Sequence, residues 1–263
     1  MSSGGKFRAV VLAGQRKGVI NPLAMRFGTT SKCLIPINGR PLIEYVLATL
    51  GNHPLIEEIA VSIDGDSAQA VGEAAARAGG KVKVRLVEAR DNLADSAIAG
   101  AEGAAGPILF TTGDNVLLAP SSIDVIANAL ASAEVVIAMA RKESVLAAHP
   151  EAQRRFYEFS DGAYSNCNLY AVNGQGALKA AEVFREGGQF AKNPARIANA
   201  FGIGNVLLMR AKLVSLEAAI KRVGKRIGVK IIPVILADGS QAIDVDNDRT
   251  YGVTEELLAR RGA

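Results

Sequence analysis

The chain has 263 residues, 49% hydrophobic and 21% charged, with a net charge of +4 and a pI near 9.1. That length and apolar content fit one large α/β domain with a sizeable core and exclude global disorder. No run of about 18 apolar residues offers a membrane span, and the mild basic excess is weak evidence for nucleic acid, since anionic small molecules such as nucleotides are equally served by it.

The polar stretch Met1–Lys6 and the brief apolar run Ala9–Ala13 do not make a signal peptide. Cys33 and Cys167 are too few for a disulfide framework. A reducing cytoplasm is the expected compartment.

Along the chain, Phe7–Leu12 is a short β-branched run that stops at Ala13-Gly14. Leu42–Leu50 reads as a helix behind Pro41, a residue favoured at helix starts. Ile56–Ile63 is strand-like and ends at Asp64-Gly65-Asp66. Ser67–Ala78 is an Ala-rich helix closed by Gly79-Gly80. Val82–Val87 alternates charged and apolar residues like a strand. A helix over Asp95–Ala104 and a buried strand over Pro107–Thr111 follow. This alternation predicts a three-layer α/β fold, a mostly parallel sheet with helices on both faces.

Beyond the strand Val135–Ala140 the rhythm changes. Arg155–Phe159 and Tyr164–Val172 flank Asp161-Gly162, a hairpin signal. Helical stretches are expected near 174–186, 191–201 and 205–226. A strand over Val229–Leu236 and a helix from about Arg249 complete the chain. The whole reads as a single domain, 1–263, with a smaller α+β insertion at 141–226 lying over the main sheet.

Four segments carry candidate chemistry. The loop after the first strand begins Leu12-Ala13-Gly14-Gln15-Arg16-Lys17 and lies at the carboxyl edge, where ligands bind in open α/β sheets. Its free N–H groups can wrap a polyphosphate, with Arg16, Lys17 and Lys32 supplying positive charge. The alternative is a basic surface loop. Neither a G-x-G-x-x-G nor a P-loop pattern is present.

Asp114, behind Gly113 at the end of a buried strand, points to the same crevice. A carboxylate there can hold Mg²⁺, a hard cation that prefers oxygen, or can act as a turn or cap residue. Asp244 and Asp246 fall two apart and share one side of an extended segment. Asp248 suits the N-cap of the last helix. In Glu88–Ala97, Asp95 or Ser96 can cap the following helix. Asn166 and Asn168 can bind an acceptor hydroxyl or satisfy strand backbone. His53 and His149 share no motif and read as loop residues.

Leu12-Ala13-Gly14, together with the run Lys32 to Leu42 (Lys-Cys-Leu-Ile-Pro-Ile-Asn-Gly-Arg-Pro-Leu), resembles the MobA-like and sugar-phosphate nucleotidyltransferase superfamily, which has a GT-A-type Rossmann-like fold. Gln15 and Lys17 replace glycines of that pattern, and Val19 stands where its arginine falls. Arg16, Lys17 and Arg26 are the candidates to replace the lost charge. The resemblance implies transfer of a nucleoside monophosphate from a nucleoside triphosphate to a small phosphorylated acceptor, with release of pyrophosphate. It implies Mg²⁺ held by Asp114 and Asp246, with Asp244 the runner-up for the second place. It further implies Lys32 at the α-phosphate and Ser96 against the base, with 141–226 as acceptor-binding insertion or lid.

Two rival readings remain, a GT-A glycosyltransferase and a degenerate nucleotide-binding regulator. Residues 191–226 hold Lys192, Arg196, Arg210, Lys212, Lys221, Arg222, Lys225 and Arg226 against one acid, Glu217. That excess suits an acceptor phosphate, peripheral contact with an anionic membrane, or plain surface charge.

Overall fold

The computed structural model describes residues 5–15, 21–184 and 202–262. Its centre is an eight-stranded mixed sheet. The strands are β1 (Phe7–Leu12), β4 (Ile56–Ile63), β5 (Lys83–Glu88), β6 (Ile108–Thr112), β7 (Val135–Arg141), β8 (Tyr157–Phe159), β9 (Gly162–Val172) and β10 (Ile231–Leu236). A two-stranded ribbon, β2 (Pro36–Ile37) and β3 (Arg40–Pro41), stands apart. The order across the main sheet is β10-β7-β9-β6-β1-β4-β5, with β8 paired to β9. β1 runs parallel to both β4 and β6, placing the first loop at the centre of the carboxyl edge.

Alternation along each strand builds two cores. In β1, Ala9 and Val11 enter one and Val10 the other; in β6, Leu109 enters the first and Ile108 and Phe110 the second. The first core packs helices α2 (Leu42–Gly51), α3 (Gly65–Ala78), α5 (Pro120–Leu130) and the last helix, α9 (Asp248–Arg261). The second packs α4 (Leu93–Ala101), the 3₁₀ segment Gln175–Phe184 and α8 (Leu216–Ile227). Short helices α1 (Pro22–Arg26), α6 (Lys142–Ala148) and α7 (Ile203–Arg210) complete the described elements.

The structure redraws the expected insertion. β9 lies within the main sheet, antiparallel to both β6 and β7, so part of 141–226 is core. The hairpin at Asp161-Gly162 is as expected, but β8 has three residues and covers only one end of an eleven-residue partner. The apolar remainder of β9 is satisfied between β6 and β7. Over 205–226 the chain forms two helices rather than one. The break falls at residues 211–215, where Lys212 has φ 54° and the Ser215 side chain caps α8 by accepting from Ala218 N–H. Residues 175–184 wind as a 3₁₀ helix. The helix expected over 191–201 lies outside the described residues.

Two caps also differ. Asn247, not Asp248, begins α9: its side chain accepts from Thr250 N–H, and the Thr250 hydroxyl returns the bond. Asn92, not Asp95 or Ser96, caps α4 by accepting from Asp95 N–H.

Candidate active site at the carboxyl edge

The first loop leaves the sheet under tight control. Ala13 N–H donates to Ser62 O at 2.9 Å, and Gln15 N–H donates to the Asp64 carboxylate at 2.8 Å. A Cβ on Gly14 would lie 2.6 Å from Ala89 Cβ, so the backbone here fits closely against the end of β5. The Gln15 side chain donates to Thr30 O and ties the two ends of the loop together. Arg16 and Lys17 lie outside the described residues. Arg26 faces Asp248 in an ion pair and stacks on Phe27 and Tyr251, so its charge is engaged at α9 rather than free over the loop.

Lys32 opens a 3₁₀ turn, Lys32–Leu34, laid on the end of β6. Gly113 permits that approach, since a Cβ there would meet both Ala13 and Cys33 at 3.0 Å. Asp114 follows at once. Its carboxylate, and that of Asp246, both pair with the Lys32 ammonium. Asn115 holds the turn from beneath, donating to Thr111 Oγ1 at 3.0 Å and Cys167 O at 3.2 Å.

The third segment arrives from the 3₁₀ turn Gly239–Ala242. Buried Gln241 fixes it, donating to Leu117 O at 2.7 Å and accepting from Ala119 N–H and Ser122 Oγ. The chain then runs extended through Asp244 and Asp246. Asp246 N–H donates to Thr250 Oγ1 at 2.9 Å, and Asn21 Nδ2 donates to Asp246 O at 3.4 Å.

Asp114, Asp244 and Asp246 each bring a carboxylate oxygen within 4.8 Å of the other two. Asp244, the runner-up in the sequence, is thus a full member of the cluster. Burial, then Asp246 and Asp114, push its pKa up to about 7. Burial also pushes Asp114 upward, but the Lys32 charge outweighs it and holds Asp114 below the ordinary carboxylate range. For Lys32, burial opposes the charged form, and the three aspartates outweigh it and raise its pKa. Among the described residues, three crowded carboxylates with Lys32 beside them suit a hard divalent ion such as Mg²⁺.

A cavity of about 460 Å³ opens beside Asp244 and Asp246. Asn166 and Asn168 line it. Asn166 Nδ2 donates to the Tyr170 hydroxyl, and Asn166 Oδ1 accepts from Asn168 N–H at 3.1 Å. A second groove, about 780 Å³, lies between the end of β5 and α4, along Glu88, Ala89, Arg90 and Asp95. Ser96 is buried behind it. Its hydroxyl accepts from Arg90 N–H at 2.9 Å and donates back to Arg90 O at 3.4 Å, so it holds the loop that forms the groove.

His53 and His149 lie in loops as read, but both are buried, each accepting a backbone N–H through Nδ1. In the basic segment, Lys212 pairs with Glu158 at 2.6 Å; Lys192 and Arg196 lie outside the described residues. Asp64 and Asn21 are site residues that sequence reasoning passed over. For Asp64 the signal was its place directly after β4, the strand beside β1.

Residues 9–226 match the family model of the MobA-like NTP transferase domain, and the chain belongs to that family. The match takes in the first loop, Lys32 and Asp114; Asp244 and Asp246 lie beyond it. The fold is that of solved nucleotidyltransferases. A hypothetical transferase from Thermus thermophilus aligns with a TM-score of 0.74 at 23% identity, over 94% of this chain and 99% of that one. The 4-diphosphocytidyl-2C-methyl-D-erythritol synthase of Anaerococcus prevotii aligns at 0.60 and 13%, over 98% and 97%. A CMP:2-keto-3-deoxy-manno-octonic acid synthetase solved with CTP aligns at 0.59 and 14%, over 98% and 100%. No curated protein matches the chain in sequence. The chain is therefore a transferase of the nucleotidyltransferase class, and the glycosyltransferase alternative is set aside.

Proposed function

We propose that the protein transfers a nucleoside monophosphate from a nucleoside triphosphate to a small phosphorylated acceptor, using Mg²⁺. The observation that carries this reading is the convergence of Lys32, Asp114, Asp244 and Asp246 beside the loop of Gly14 and Gln15. An acceptor phosphate oxygen attacks the α-phosphorus. A new P–O bond forms, and the bond to the β-phosphate oxygen breaks, its electron pair leaving with pyrophosphate. An already ionised phosphate nucleophile has no proton to lose, so no general base is required.

In this reading Leu12, Ala13, Gly14 and Gln15 place backbone against the triphosphate, with Arg16 and Lys17 adding charge. Lys32 stabilises charge that develops at the α-phosphate. Asp114 and Asp246 hold the metal, with Asp244 next to them; a divalent ion supplies charge neutralisation at the phosphates. The groove by Arg90 receives the base, with Ser96 positioning its wall. Residues of 141–226 serve the acceptor, since Asn166, Asn168 and Tyr157 all line the cavity beside the carboxylates. Pyrophosphate release, screened over four triphosphates and a panel of phosphorylated alcohols and sugars, tests the reaction. No release with any pair in Mg²⁺ would overturn it.

A second contact, with an anionic lipid surface, is favoured by α7 and the turn after it. Ile203, Leu207 and Leu213 are 69%, 62% and 72% exposed, close in sequence to Arg210. Among the described residues no helix is long and apolar enough to cross a membrane, so such contact is peripheral. Co-sedimentation with anionic vesicles, weakening as salt rises, is the expected result. No binding at low salt would sink this reading.

A further inference from the structure

The cavity beside Asp244 and Asp246 changes character with depth. β6 and β9 form one wall, and their antiparallel register sets Phe110 opposite Tyr170. β7 continues the wall, with Ile137 opposite Tyr170 and Val135 opposite Val172. The carboxyl edge of β6 therefore meets the Ser165, Asn166 and Asn168 end of β9, while the interior meets Tyr170 and Val172. The roof is equally apolar, from Leu178 of the 3₁₀ segment and Val223 of α8. Among the described residues, the charged groups lining the space are Arg155, Asp244 and Asp246.

Thr111, Thr112, Tyr157 and Tyr170 also bring hydroxyls to the lining; a sugar or polyol driven past them, against Val135, Val172, Leu178 and Ile231, would leave hydroxyls without partners, each a substantial loss. An alkyl or alkenyl group would lose nothing and would gain from leaving water. The volume is within the range of small-molecule sites.

We infer that the acceptor is amphiphilic: a phosphate monoester whose head lies at the carboxylates and whose apolar body fills the cavity between β6, β9 and α8. This rests on the nucleotidyl-transfer reading for the head-group position, but not for the apolar site itself.

The test uses the full chain and a series of linear alkyl phosphates, from ethyl to octyl, titrated by calorimetry in Mg²⁺. Affinity is expected to rise about two- to fourfold per methylene until the cavity is filled. Val223→Phe and Ala181→Leu each place bulk into the cavity and are expected to stop that rise at shorter chains. A flat series in the wild-type protein overturns the proposal, whatever the variants do. A rise left unchanged by either folded variant overturns it too, since the chains would then be bound elsewhere, such as on Ile203 and Leu207. Pyrophosphate release is measured separately on the same series. A chain-length-dependent affinity without release from any triphosphate supports the apolar site and removes the transfer reading. Release with short polar acceptors and a flat series does the reverse.

Discussion

Lys32 and Asp246 stand 214 residues apart in sequence and form an ion pair at the centre of the site, with Asp114 on the other side of the same ammonium. One cation thus serves two carboxylates from separate segments of the chain, one just after β6 and one just before α9.

Asp114→Asn removes a nearly buried charge that faces both Lys32 and the other acids. Turnover is expected to fall by about a hundredfold or more, on the scale of losing one preorganised electrostatic group. The melting temperature should change little in comparison. Asp246→Asn should behave in the same way. Asp244→Asn should be milder in turnover and no less stable than wild type, because it relieves crowding among three carboxylates. Steady-state rates in Mg²⁺ beside thermal melts give the ranking; a most damaging Asp244→Asn would move the second ligand to that residue.

Lys32→Ala is expected to act on the rate of chemistry more than on nucleotide affinity, since its proposed role is at charge that forms in the transition state. It also leaves Asp114 facing Asp244 and Asp246 without compensation. The variant should therefore melt lower than wild type in chelator, with Mg²⁺ restoring part of the difference. An unchanged maximal rate with a raised Michaelis constant would make Lys32 a binding residue instead.

Asp64→Ala strips the acceptor from Gln15 N–H while leaving the strand intact. Nucleotide affinity should fall by about tenfold, the scale of an unsatisfied hydrogen bond. Asp64→Asn keeps an acceptor oxygen and should recover most of the loss. Equilibrium binding of a non-hydrolysable triphosphate separates the two variants; equal affinity in all three proteins would free the loop from Asp64.

Both thiols are buried, and burial pushes Cys33 up from 9.0 to about 12 and Cys167 upward as well. Neither should react with Ellman's reagent at pH 8 in the native protein, and both should react in guanidinium. The folded state favours the protonated Cys33, so its contribution to stability is intact below pH 9 and declines as pH rises from 9 towards 12. Melting curves across that interval, with Cys33→Ser as control, check the sign. Rapid native labelling of Cys33 would contradict its packing under Gly113.

Much of this architecture was legible because it is written in local patterns. The strands around Ala9, Val61 and Leu109 announce themselves by apolar runs that end at Gly or Asp, and their carboxyl edge locates Gly14 and Asp114. Long-range choices are less visible. Tyr164–Val172 reads correctly as a strand, but nothing local says that it enters the sheet between β6 and β7. The place of Asp244 in the cluster depends on how Gln241 anchors the preceding turn. Ser96 illustrates a different ambiguity: a hydroxyl near a ligand edge serves backbone as readily as base, and only the bond to Arg90 N–H decides its present use. Asn247 took the cap from Asp248 because the reciprocal bond with Thr250 fits one position only.

The ties between Lys32 and Asp246 are part of a wider clasp: Arg26 meets Asp248, the Tyr251 hydroxyl donates to Pro36 O at 2.8 Å, and the rings of Phe27 and Tyr251 lie 5.0 Å apart. On the ribosome, the Lys32 turn emerges long before its distant partner. At about 5–20 residues per second, the interval before Asp246 is made is about 10–40 s. Throughout it the nascent chain carries the Gly14–Gln15 loop with no closing aspartate and no α9 to brace it. Catalytic competence is thus among the last properties this polypeptide acquires, and a release-arrested chain stopped before residue 244 should be folded over β1 to β6 yet chemically silent.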